Sequence, residues 1–140
     1  MALPPPDDLT SLVLRTDFSD DAAWYALRAA YDAADGGPYA TWVSDPRYDG
    51  AGIPALLEED GAADEEEQLA YVFLADAKAL TDGPERFLLA VDLYDEPGHT
   101  VRVPPAWFPE LSANLSIANL DFADFADCAD ATGTFRGWDG

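Results

Sequence analysis

The chain has 140 residues, enough for one domain of ordinary size with a hydrophobic core that needs no metal or disulfide staple. Its 28 acidic residues against 7 basic ones give a formal net charge of -21, which argues against nucleic-acid binding and disfavours an anionic membrane surface, because both need a positive footprint. Apolar residues make up 49% of the chain, with 4 Trp, 6 Tyr and 7 Phe, which excludes intrinsic disorder of the whole, and a single cysteine, Cys128, excludes an internal disulfide or a Cys-based zinc cluster.

Residues 1–8 carry three consecutive prolines followed by two Asp, and read as a disordered arm ahead of a single domain over 9–138. The first residues have neither the basic nor the apolar region of a signal peptide, and the longest apolar runs are strand-sized, so a cytoplasmic protein is expected. "LTSLVLRTDF" alternates as a strand, with Leu12 and Leu14 on one face and Ser11, Val13 and Arg15 on the other. "SDDAAWYALRAAYDAADGGP" predicts a helix capped by Ser19 or Asp20, with Trp24, Leu27, Tyr31 and Ala34 as its buried stripe and Gly36, Gly37 and Pro38 as its stop. "YATWVSD" predicts a second strand, "RYDGAGIP" a loop, and "PALLEED" a short helix with Pro54 in its first turn.

"LAYVFLAD" and "RFLLAVDL" are nearly continuous apolar runs of strand length, and "AKALTDGPE" connects them. This link is short for a parallel crossover. "YDEPGH" then reads as a turn and "TVRV" as a partner strand, so the fourth and fifth strands form a hairpin that Pro104 and Pro105 close. The expected fold is α/β: a single-domain mixed sheet of about five strands with flanking helices.

The last stretch, "ANLSIANLDFADFADCADATGTFRGW", supports two readings. As one long helix, Leu111, Leu115, Ala118, Phe122, Phe125 and Ala129 form an apolar stripe. As a helix broken at Asp121, that residue caps a new segment, Asp124 completes a capping box, and Leu120 and Phe125 form a hydrophobic staple. The break is preferred, with Phe122, Phe125, Ala126 and Ala129 facing the core and Gly133 ending the helix. Asn114 and Asn119 are then junction residues, since Asn bonds readily to neighbouring backbone; the alternative is a pair of amides facing a ligand.

The motifs "LVLRTDF", "YVFLAD" and "NLSIANLDFADF", in this order, resemble a bacterial domain family of unknown function, over most of the chain. The resemblance implies one compact domain and carries no activity or site residue with it.

Candidate chemistry therefore comes from the residues alone. Asp17, Asp45, Asp76 and Asp92 each end a predicted strand. Ligands in open parallel sheets bind outside the carboxyl ends of strands, and carboxylates there suit Mg²⁺. Asp17, Asp76 and Asp92 are the first choice for a metal site, with Mg²⁺ as the possible cofactor of a hydrolase or phosphoryl-transfer enzyme. Against it, Asp is abundant throughout this chain and commonly caps turns after strands. His99, the sole histidine, sits in a predicted turn, Cys128 reads as a buried filler, and no nucleotide-binding or nucleophile-elbow motif is present. Arg102, with Arg15, could form an anion pocket, and Trp107 and Trp138 could anchor an interface. The leading expectation is a small acidic, non-catalytic binding or regulatory module that engages a protein with a basic surface, as a monomer or homodimer; a structural homo-oligomer built on the two tryptophans is a further alternative.

Overall fold

The computed structural model describes residues 3–7, 9–33, 39–81, 86–117 and 119–137. Five strands form one mixed sheet: β1 (Ser11–Arg15), β2 (Ala40–Val43), β3 (Tyr71–Ala75), β4 (Leu88–Asp92) and β5 (Thr100–Val103), in the order β2-β1-β3-β4-β5. β1 runs parallel to both β2 and β3, whereas β4 is antiparallel to β3 and to β5. The α/β mixed sheet read from the sequence is therefore the fold, and the short link between β3 and β4 is the reason the sheet turns antiparallel there.

Helix α1 (Asp21–Asp32) leads from β1 to β2, and α2 (Ile53–Gly61) leads from β2 to β3. These two crossovers step to opposite sides of β1. Right-handed connections then place their helices on opposite faces of the sheet. α1 starts where the Asp20 carboxylate accepts the Ala23 N–H, and it buries Trp24, Leu27 and Tyr31. The predicted Ala34, Gly36, Gly37 and Pro38 end of this helix lies outside the described residues. The segment read as a loop after β2 contains a short 3-10 turn, Pro46–Tyr48, capped by Asp45. The connector after β3 forms α3 (Ala77–Thr81), a helical turn too short to announce itself by periodicity.

Each sheet face carries its own core. On one, Val13, Phe73, Ala90 and Val101 pack against α1 and against two late helices, α4 (Phe108–Ser116) and α5 (Phe122–Ala126). Edge-on aromatic contacts link this layer: Phe108 meets Tyr31 at 5.3 Å and Phe73 at 5.0 Å. Tyr31 also donates its hydroxyl to the Val103 carbonyl and accepts the Leu88 N–H, which ties α1 to β4 and β5. On the other face, Leu12, Leu14, Val72, Leu74 and Val91 pack beneath α2 and Tyr48. Leu3, within the proline-rich arm, is buried in this second layer, a docking that the arm's composition did not announce.

The break at Asp121 is present. The Asp124 carboxylate accepts the Asp121 N–H at 2.9 Å, and the Asp121 side chain faces the Asp124 N–H in return. Phe122 and Phe125 are buried, and Ala126 and Ala129 pack partly against the same layer. One correction follows: Gly133 does not end this helix, which stops at Ala126 with Asp127 as its cap. Gly133, with φ of 81°, belongs instead to a turn organised by the Asp130 carboxylate, which accepts the N–H groups of Thr132 and Thr134 and the Nε of Arg136. The turn delivers its last residues to the free edge of β5, where the Arg102 N–H bonds the Gly133 carbonyl and the Phe135 N–H bonds the Arg102 carbonyl.

Candidate functional site

The carboxyl ends of β1 and β3 are where the sequence pattern pointed first. The Asp17 carboxylate accepts the Ser19 N–H at 3.0 Å, within the turn that enters α1. Asp76 caps α3 through the Ala79 N–H and also receives both terminal nitrogens of Arg102 at 2.8 Å, a bidentate pair. Asp92 lies elsewhere. Because β4 runs antiparallel to β3, Asp92 pairs in register with Tyr71, the first residue of β3, and so sits at the opposite end of the sheet from Asp17 and Asp76. The structure thus corrects the three-carboxylate grouping: a reversed strand carries its C-terminal Asp away from the others. Among the described residues, no group of three or more His, Cys, Asp or Glu side chains is arranged to hold a metal ion.

Arg15 and Arg102 do not combine either. Arg15 lies in register with Ala75, on the face of Val13 and Phe73, while Arg102 lies in register with Leu89, which packs with the other face. Arg15, 3% exposed, donates to the Asp17 carbonyl and to the Asp21 carboxylate, and its guanidinium lies 4.4 Å from the centre of the Phe18 ring. Gly50 completes this end of the sheet by donating its N–H to the Thr16 carbonyl at 2.8 Å. At this end of the sheet, where such a topology usually binds ligands, the charged side chains Arg15, Asp21, Asp76 and Arg102 bond one another.

Asn114 and Asn119 bond to each other and to the backbone around them. The Asn119 amide donates to the Asn114 side-chain oxygen at 2.9 Å, the Asn114 amide donates to the Glu110 carbonyl at 2.8 Å, and the Asn119 N–H bonds the Asn114 carbonyl. They form the junction between α4 and α5. Trp107 is partly buried and meets the Phe135 ring edge-on at 5.4 Å, with Gly137 beneath it at a φ of 110°. A Cβ at Gly137 would come within 2.9 Å of the indole, so this close approach requires glycine. Trp138 lies outside the described residues.

The arrangement that the sequence reading missed is at the other end of the sheet. A cleft of about 260 Å³ opens between the start of β3, the β4–β5 turn and the α4–α5 junction. Tyr71, Leu115, Leu120 and Phe122 make its floor, and Asp92, Asp95 and Asp121 surround it. Asp92 is buried, and its carboxylate gathers the N–H groups of Tyr94, Asp95 and Glu96, which shapes the turn and sets Tyr94 outward. Tyr94 is 74% exposed. A second cleft, of about 450 Å³, shares Ala70 and Tyr94 with the first and is further lined by Glu65, Gln68 and Leu69.

The electrostatics of the two ends differ. Asp95 forms no ion pair with a described residue, and its carboxyl is held above the usual carboxylate range by partial desolvation and then by the negative fields of Asp92, Asp121 and Glu96. Nearby, the His99 ring meets the Glu96 carboxylate at 3.1 Å and tilts against Phe122 at 5.9 Å. Tyr71 faces the cleft with its ring while its hydroxyl enters a buried chain through Ser11 and Ser112 to the Tyr39 carbonyl. Burial raises the Tyr71 phenol, partly offset by the Ser11 hydrogen bond. The one local signal for this site is "YDEPG", an aromatic among acids in a turn; its meeting with Asp121 and Leu115 is a product of packing.

A family model described as a domain of unknown function, DUF6924, matches residues 10–138. The chain belongs to this family. The DUF6924 match spans the whole sheet and all five helices, so the architecture above is that of the family domain itself. No curated protein matches the chain. No helix among the described residues is long and apolar enough to cross a membrane.

Proposed function

We propose that this DUF6924 domain is a small acidic, non-catalytic binding module that engages a protein with a basic surface. The observation that carries the reading is the uncompensated charge. The chain bears a net charge of -21, and Arg15, Arg47, Arg102 and Arg136 each hold a carboxylate of their own chain. Their positive charge is engaged internally, so the remaining acids project a negative field that steers a basic partner and repels anionic ones.

The test is binding of defined basic peptides by titration at low and at physiological salt. Saturable association with one-to-one stoichiometry that weakens with salt yet survives at about 0.15 M supports the module. Non-saturating association that vanishes at that ionic strength would mean that the acidity serves solubility alone.

A further inference from the structure

We propose that the groove lined by Tyr94 is the docking site of this module, and that it takes an arginine side chain from an extended basic segment of the partner protein. The inference rests on the binding-module reading above and locates it. Three features of the groove define its occupant. Its floor is apolar, so it suits the aliphatic stem of a long side chain. Asp95 and Asp121 lie exposed along it, with the buried Asp92 carboxylate behind them, so the end of that side chain is cationic. Tyr94 stands exposed at its mouth and offers a flat aromatic face. A guanidinium stacks on such a face while bonding a carboxylate along its edge, which an ammonium does less well.

Other occupants fit poorly. A second copy of the chain would bring its own charge of -21 to an acidic rim. A nucleic acid or an anionic lipid surface meets the same repulsion. An apolar peptide would desolvate the rim carboxylates without a counter-charge. The second cleft, with Glu65 and Gln68, shares Ala70 and Tyr94 with the first and receives a further polar or basic side chain of the same segment. An extended segment presents alternate side chains along one line, which suits two adjoining clefts.

The experiment uses the full chain and a fluorescent peptide bearing two arginines at i and i+2, with a lysine version and poly-arginine as comparisons. Affinities are measured by anisotropy at physiological salt for the native chain and for Tyr94→Ala, Asp95→Asn and Asp49→Asn. Tyr94 and Asp95 are exposed, so these variants fold; Asp49 is an exposed acid beyond the carboxyl end of β2, at the opposite end of the sheet. The expected result is a loss of about tenfold or more for Tyr94→Ala and for Asp95→Asn, as for contacts at an interface centre. Asp49→Asn should stay within about twofold, as for a remote screened charge, and the lysine peptide should bind more weakly than the arginine peptide. Equal effects of all three substitutions would overturn the groove while leaving the binding-module reading in place. No binding of either peptide or of poly-arginine would overturn both. A concentration-dependent dimer that Tyr94→Ala abolishes would assign the groove to a second copy and overturn the proposal.

Discussion

The two ends of the sheet present the same residue types and put them to different use. At the carboxyl end of β1 and β3, Arg15 and Arg102 meet Asp21 and Asp76, and the Gly50 N–H bonds the Thr16 carbonyl. At the opposite end, Asp92, Asp95 and Asp121 converge around an apolar floor with Tyr94 exposed beside it. One end satisfies its charges internally; the other accumulates like charge. The contrast teaches that in so acidic a chain the position of the few arginines, more than that of the many carboxylates, decides where a partner can be recognised. It also follows that substitutions at the first end should register in stability and those at the second in binding.

The sharpest way to break this comparison is Arg15→Ala. The side chain is buried, stacks over Phe18 and Trp24, and donates hydrogen bonds to Asp17, Ser44 and Asp21, so its removal should cost about 3 kcal/mol, read as a fall in the urea midpoint. Asp21, left behind, is largely exposed and adds little to that cost. Arg102→Ala removes the bidentate partner of Asp76, and the loss of charge-assisted bonds should cost about 2 kcal/mol by the same measurement. An outcome within error of the native chain for both would remove the distinction between the two ends.

Smaller effects sharpen it. Asp121→Ala removes one half of the α5 capping box and should cost about 1 kcal/mol, while also weakening any basic ligand of the groove. The smallest change carries the opposite sign. Asp95→Asn should raise Tm slightly, because the folded state holds the Asp95 carboxyl above its ordinary range and so resists its ionisation. The folded chain therefore binds this proton more tightly than the unfolded chain does. Stability from this group is full below the unfolded value of 3.8 and declines as pH rises through the higher folded value. The Tm advantage of the variant should accordingly be present at neutral pH and vanish below 3.8. A variant that is less stable than the native chain at neutral pH would show that Asp95 is held by favourable contacts rather than by repulsion.

Much of the candidate site was illegible for an identifiable reason. The sequence marks Asp17, Asp76 and Asp92 alike, each following an apolar run, and the one sign that β4 returns lies outside these runs, in the short link that precedes it. Asn114 and Asn119 show the reverse: their role as a junction follows from the local bonding habits of Asn, and the amide–amide bond between them is local.

The sequence by itself determined the elements. Alternation marks both faces of β1, helical spacing marks Trp24, Leu27 and Tyr31, and the Asp121–Asp124 spacing marks the start of α5, because these patterns arise from contacts within a few residues. Tertiary structure alone decided which ends of those elements meet. The capture of Asp76 by Arg102 and the convergence of Asp92 with Asp121 depend on how two cores pack on the two faces of the sheet. Those arrangements are set by burial summed over the whole domain, and burial is non-directional, so no short stretch of residues encodes them.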